Sequence, residues 1–346
     1  MKPGVDILIQ QIAEIPGVAE VVKQFIPLDL SMLASNPQTK HLSLRQIIKY
    51  SKGRFPPESI ERIDAALTER FGTSFLTEAE KSKIARYQAI AAAPKGPGEK
   101  HDPYDAFYPG KPWLDTEGKR IQAHGGAILE EDGWFYWYGE NKEHTKGTDD
   151  IWTWGVKAYN WEDLGQIISP VLDDPDSVLF PDTRVDRPHI LRCGTTGKYV
   201  CWIHLAGKLS GFLILQADAF LGPYVIVNEC YRPEGYDAGD FDLVKAEDGS
   251  AYLFYDIQHS TVLGMKLSDD YLRAEKIISR QYEGMKPPFC REGIAVFERE
   301  GKMYMLSSGM TGYVPNRSDA AESGGWEIPF ESVGDPYPGD DTHSSP

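Results

Sequence analysis

Two hydrophobic periodicities divide the chain. As far as about residue 95, apolar positions recur at helical spacing. SLRQIIKY places Leu44, Ile47 and Ile48 on one face, with Ser43 set to cap the helix. PPESIERIDAALTERFG opens on proline, closes on glycine and gathers Ile60, Ile63 and Leu67 on one side. LTEAEKSKIARYQAIAAA opens on Thr77 with Glu80 three residues on, the spacing of a capping box. No chemical constellation accompanies these segments, so they predict a small helical accessory or packing domain over residues 1–95.

Beyond that point the pattern changes to short apolar strands broken by tight polar turns. Four segments share one shape: GAILEEDGWFYWYG, HILRCGTTGKYVCWIH, DLVKAEDGSAYLFYDI and IAVFEREGKMYMLSSG. Their turn glycines, Gly133, Gly197, Gly249 and Gly301, are 64, 52 and 52 residues apart. Asp-Gly and Thr-Gly pairs between alternating runs predict β-hairpins. A further β-like run follows each hairpin, such as WTWGVKAYN, GFLILQADAF or STVLGMKLS. Three to four strands recurring at near-constant spacing predict the blades of an all-β propeller. A β-sandwich does not call for modules of such equal length. The Pro/Gly-rich stretch beginning PKGPGEKHDPYD reads as a linker over 96–112, which leaves 113–346 to the propeller.

Composition sharpens this division. The 346 residues suit about two domains at roughly 100–200 residues each. Net charge is −16, with +3 on residues 1–95 and −19 on the rest. Such a balance excludes broad contact with nucleic-acid phosphates, which needs a basic surface. No apolar run is long enough to span a membrane. The start, MKPGVDILIQQIAEIPG, lacks the zones of a secretory signal, so a cytoplasmic location is expected. Cys193, Cys201, Cys230 and Cys290 show no metal spacing and read as free thiols. Asp173, Asp174 and Asp176 in DDPDS lack the full calcium-loop pattern. No metal site and no cofactor are expected from the residues.

Polar residues recur at the strand starts. Gln122 and His124 precede Gly133 by eleven and nine residues, and Asp186 precedes Gly197 by eleven. Asp240 and Glu292 each stand nine before their turn glycines. In a propeller the first strand of each blade lines the axis, so these residues converge on one funnel. Carboxylates crowded into one pocket cannot all keep ordinary pKa values, and one held protonated is what acid-assisted glycosidic cleavage uses. Trp113, Trp134, Trp137, Trp152, Trp154, Trp202 and Tyr313 lie near the strand ends and offer faces for sugar rings, or fill the blade cores.

In these residues the sequence resembles glycoside hydrolase family 43, and most of all its exo-β-1,3-galactanase branch. The matching segments are WLDTEGKRIQAHGGAIL, FYWYGENK, VDRPHIL, YVCWIHL, GDFDLVKAEDGSAYLFY and REGIAVFEREGKMYMLSSGMTGYVPN, in that order. Residues 1–95 lie outside the likeness. The resemblance implies a five-bladed β-propeller with four blades present here, the polar GDPYPGDDTHSSP reading as a loop before an absent last blade. It implies that Glu292 is the general acid and that Asp240 orients it and adjusts its pKa. The family's usual first-blade aspartate base is replaced by Gln122, as in this branch. Asp186-Arg187-Pro188 stands where the branch often has Glu-Arg-Pro, and REGI replaces Arg-Glu-Ala-Pro. Sugar contacts are implied at His124, Glu140, Arg187, Trp202, His204, Asp242, Arg291, Tyr313 and Asn316. The implied activity is exo-acting, inverting hydrolysis of β-linked galactose chains, with carbohydrate as partner. Some family propellers hold a cation such as Ca2+ near the axis, which would bring in His124 or His204. Arabinofuranosidase or xylosidase activity is the alternative within the family. A catalytically weak sugar-binding propeller is the alternative outside enzymology, and a phosphorylase would need more cations than Arg187 and Arg291.

Overall fold

The computed structural model describes residues 7–51, 54–56, 58–71, 78–93, 96–102, 104–106, 108, 111–143, 156–159, 162–257, 260–311 and 316–336. Two compact units emerge: Met1–Ala93 with Val171–Phe180, and Pro94–Pro170 with Pro181–Pro346. Among the described residues, no helix is long and apolar enough to cross a membrane.

The first unit is helical: α1 (Ile9–Ile12), α2 (Val18–Lys23), α3 (Leu30–Ser35), α4 (Leu44–Tyr50), α5 (Ser59–Phe71) and α6 (Glu78–Ala92). Ser43 caps α4 as its sequence suggests. Its Oγ accepts from the Gln46 amide at 3.3 Å, and Gln46 Oε1 accepts from the Ser43 amide at 2.9 Å. Ile63 and Leu67 on α5 are fully buried among Ile9, Ile12, Val22 and Leu44. Helices α1 to α3 span only four to six residues, too few for a helical repeat to stand out in the sequence. Tyr87 of α6 packs edge-on against Phe180 at 5.5 Å, within the same unit. Thr77 lies outside the described residues.

The second unit contains four antiparallel sheets of four strands, each a simple meander. Sheet one is β1 (His124–Glu131), β2 (Trp134–Glu140), β3 (Val156–Tyr159) and β4 (Asp163–Ile168). Sheet two is β5 (Val185–Arg192), β6 (Tyr199–Leu205), β7 (Gly211–Ala217) and β8 (Val225–Tyr231). Sheet three is β9 (Ala238–Lys245), β10 (Ala251–Ile257), β11 (Thr261–Leu267) and β12 (Ala274–Gln281). Sheet four is β13 (Arg291–Arg299), β14 (Lys302–Gly309), β15 (Ser318–Ser323) and β16 (Glu331–Gly334). All four predicted hairpins form. Their turn glycines take φ between +72° and +86°, the left-handed region that a side chain resists.

The first strands pack in chain order, β1 on β5, β5 on β9 and β9 on β13, which is how propeller blades line an axis. Among the described residues, β13 and β1 show no comparable packing. Between sheets one and two, Tyr136, Tyr138 and Tyr199 surround Phe220 at 5.0–6.0 Å. Between sheets two and three, Trp202 and Phe212 pack with Phe241, Leu253 and Tyr255. Between sheets three and four, Tyr252 and Phe254 meet Ile294, Val296, Met303 and Met305. Each inner face thus follows the period-two alternation of its strands. The outer face of sheet four differs: Ala295, Phe297, Tyr304, Leu306 and Ala320 remain half-buried or exposed. On sheet one, Ile128 and Phe135 are about half exposed, at 53% and 50%.

Candidate active site

The site begins with a backbone irregularity. Strand β1 pairs His124 with Glu140 and then Ala127 with Tyr138, three residues opposite two. Strand β5 repeats the step with Asp186–His204 and His189–Trp202, and β13 with Glu292–Ser308 and Ala295–Leu306. Strand β9 has a step of the same size between Ala238 and Phe241, and it holds Gly239 and Asp240. Bulges of this kind bend a strand and re-aim its side chains. His124, Asp186 and Glu292 therefore occupy matching positions, each just before the bulge. Gln122 lies two residues ahead of β1.

The carboxylates are tied from blade to blade. Glu140, 1% exposed, holds Lys142 Nζ at 2.7 Å and His124 Nδ1 at 3.1 Å with one oxygen. Its other oxygen accepts from the Arg187 amide at 2.6 Å. Burial opposes its charge, but His124 and Lys142 outweigh burial and hold its pKa below the ordinary range. Asp240 takes Arg187 Nε at 2.8 Å on Oδ1 and the Gly293 amide at 2.9 Å on Oδ2. Burial again opposes the charge, and the Arg187 guanidinium with the Gly293 amide carries the pKa downward. The Asp240 amide donates to the fully buried Asp256 at 2.6 Å. Asp186 behaves in the opposite sense. Burial first, then the neighbouring charge of Glu140, raises its pKa, and among the described residues Arg184 at 3.3 Å is its ion-pair contact. Carboxyls close together are thus driven apart in proton affinity by their surroundings, the condition under which one can give and another take a proton.

Other expected residues are engaged in contacts of their own. Trp202 is wholly buried, its indole donating to the Tyr271 carbonyl at 2.9 Å; it is a core residue between sheets and cannot face a sugar. Asp242 is also enclosed. It accepts from the Val296 amide at 2.6 Å and meets His189 Nδ1 at 3.1 Å, so it clamps neighbouring blades together and does not face a ligand. His204 is buried, with Nε2 on the Ala238 carbonyl at 2.9 Å and Nδ1 without a partner. Arg291 donates to the Arg317 carbonyl at 3.3 Å and lies over the Tyr282 ring. Asn316 holds both the amide and the carbonyl of Gly309, at 2.6 and 2.8 Å, which secures the end of β14 opposite Arg291. Gln122 Oε1 accepts from the Lys142 amide at 3.3 Å. Gln122 also lines a cavity of about 580 Å³ with Tyr104, Lys119, Glu143 and Asp163, and neither Asp186, Asp240 nor Glu292 is among its lining residues. Trp113 packs edge-on against Trp137 at 5.7 Å. Tyr313, Trp152 and Trp154 lie outside the described residues. Lys142, Arg184, His189 and Asp256 escaped the sequence reading, because each matters through a partner on another strand. Among the described residues no group of three His, Cys, Asp or Glu is arranged to hold a metal ion.

No protein-family profile matches the chain, and no curated protein matches it by sequence. Solved structures do match. An exo-β-1,3-galactanase from Phanerochaete chrysosporium, solved with β-1,3-galactotriose, is 23% identical with a TM-score of 0.59, over 65% of this chain and 53% of that one. A β-1,3-galactosidase of glycoside hydrolase family 43 is 26% identical at the same TM-score, over 66% and 49%. A second such galactosidase, solved with galactodeoxynojirimycin, is 24% identical, again at 0.59, over 67% and 81%. The chain spans about half the length of the first two. Four sheets with bulged inner strands have the architecture of a propeller fold. Within that class the likeness falls on family 43, among the exo-β-1,3-galactanases and β-1,3-galactosidases.

Proposed function

We propose that the protein is a glycoside hydrolase that releases sugar from the end of β-linked galactose chains, of the β-1,3-galactan type, with inversion. The observation that supports this reading is the matching placement of His124, Asp186 and Glu292, each just before the bulge of its own strand, with Asp240 fastened to the peptide that follows Glu292. In the proposed reaction Glu292 gives its proton to the glycosidic oxygen as that bond breaks. A water adds to the anomeric carbon from the opposite face and loses a proton. Gln122 cannot accept that proton as a carboxylate does, because its amide stays neutral. Asp186, with a raised proton affinity, would take the proton. The same reading makes the four sheets part of a five-bladed ring, with a fifth blade against the uncovered faces of sheets one and four.

Product analysis on β-1,3-galactan, arabinogalactan, xylan and arabinan oligosaccharides tests the substrate class. Galactose released from chain ends is the expected result; arabinose or xylose would move the assignment within the family. Glu292→Gln should lower turnover by about 10²–10⁴ on substrates with poor leaving groups and much less on activated aryl glycosides. Equal losses on both would remove Glu292 from the acid role. Sugar binding without turnover in the unaltered protein would favour a binding propeller.

A further inference from the structure

Three inner strands share one bulge, and the residue after the bulge's first position is left-handed in each: Gly125 at φ +62°, Arg187 at +51° and Gly293 at +61°. Two blades fill this slot with glycine, for which the conformation is unstrained. The second blade places an arginine there, a residue that resists it. A strained side-chain-bearing residue persists where its surroundings hold it, and often where the side chain is used.

Everything around Arg187 holds it. Its amide is fixed by Glu140 from sheet one at 2.6 Å. Its stem lies against Gly125, where an added Cβ would stand 3.2 Å from Arg187 Cγ. Its guanidinium reaches Asp240 of sheet three at 2.8 Å. The second oxygen of Asp240 then accepts from the Gly293 amide of sheet four, the peptide next to Glu292. One residue thus links all four sheets to the acid's backbone.

We propose that Arg187 is a positioning residue that keeps Asp240 ionised on the Gly293 peptide and, by balancing that charge, sets the pH range over which Glu292 holds its proton. The proposal rests on the glycosidase reading. Other charged and titratable groups face this cluster: His124, Glu140 and Lys142 from sheet one; Asp186, Arg184, His189 and His204 from sheet two; Asp242 and Asp256 from sheet three; Cys290 and Arg291 from sheet four. Among the described residues, Arg187 is the one that contacts Asp240 as an ion pair.

The active form needs Asp186 and Asp240 ionised and Glu292 protonated. Loss of the cation raises the proton affinity of the neighbouring carboxyls, so the bell-shaped profile of kcat/KM against pH should move upward. Burial already raises the proton affinity of Asp186, which therefore sets the ascending limb. The effect of Arg187 is expected chiefly on the descending limb, which reports Glu292, as a shift of about one unit. Arg187→Gly is the variant of choice, since it restores the residue that two sister blades use and removes the backbone strain. Arg187→Lys should return the profile most of the way. A bell left in place, with only KM raised, would make Arg187 a sugar ligand and overturn the proposal. A Lys variant displaced as far as Gly would also overturn it. Thermal unfolding supplies a readout independent of turnover. The Tm difference between wild type and Arg187→Gly should narrow as pH falls and Asp240 becomes protonated, and should lose that pH dependence in an Asp240→Asn background. An unaltered protein inactive on every substrate sinks the glycosidase reading alone, while the melts still decide the Arg187–Asp240 coupling.

Discussion

At the scale of single residues, the His189–Asp242 pair shows how burial redistributes protons. Burial lowers the His189 pKa to about 3 and raises that of Asp242 to about 7. Both shifts penalise charge, so between about pH 4 and 6.5 the folded pair holds one proton and no net charge. Unfolded, the same two groups also hold one proton, on histidine, since their ordinary pKa values straddle that range. Proton counts match, so this pair adds no slope to stability across that window. Asp242→Asn breaks the balance. His189 then remains buried and neutral, while its unfolded form takes up a proton as pH falls below about 6.5. A histidine with a depressed folded pKa contributes stability that declines with falling pH. The variant should lose up to about 1.4 kcal/mol per pH unit relative to wild type between about pH 6 and 4. Urea melts at pH 4.5 and 7 measure this directly. A constant difference between the two proteins would show that the pair titrates separately.

At the scale of elements, the bulge is the working part, and it explains what the sequence could and could not disclose. Hairpins were legible because Asp-Gly and Thr-Gly turns are local signals. The recurring strand-start carboxylates were legible by counting back from those turns. The bulges were not, since three residues opposite two is a property of two strands. Counting alone gave Gln122 and His124 equal standing in the first blade, and only the pairing of His124 with Glu140 singles out the residue that matches Asp186 and Glu292. Trp202 misled for a related reason: strand β6 is buried on both faces, so alternation does not tell inside from outside. Two glycines separate the bulge from the turn experimentally. At Gly239 an added Cβ would stand 2.2 Å from Asp256 Oδ2, the atom that accepts from the Asp240 amide. Gly239→Ala must displace a buried carboxylate, and should cost more than about 2 kcal/mol while depressing activity. At Gly197 no atom of the described residues beyond its own chain neighbours lies within 4 Å of such a Cβ, and φ of +72° is what opposes it. Gly197→Ala should cost about 1 kcal/mol and leave turnover unchanged. Equal effects in denaturant melts and rate assays would disconnect Asp256 from the site.

At the scale of the whole sheet assembly, the two faces of β14 carry the architectural question. Met305 points toward sheet three and is fully buried with Phe254, Val296 and Ala321. Leu306, the next residue, pairs with Ala295 and Ala320 on the opposite face and is only partly buried. Phe297 and Tyr304 stack beside it at 5.5 Å, with Phe297 41% exposed. Met→Ala and Leu→Ala each remove three side-chain heavy atoms, so the two substitutions probe the faces with like amounts of material. Met305→Ala leaves a cavity in a closed interface and should cost about 2–4 kcal/mol. Leu306→Ala loses contacts on one side of a face that water already reaches, and should cost less than about 1 kcal/mol. Chemical denaturation of the 346-residue chain tests this, with the m-value checking that both variants unfold the same surface. A Leu306→Ala loss as large as that of Met305→Ala would mean that the face is covered in solution. Repeating the melts over a hundredfold range of protein concentration then decides between covers. A penalty that grows with concentration points to association through this face, because binding stabilises by mass action. A large penalty independent of concentration would require the chain's own residues to close the face, and would sink the fifth-blade reading.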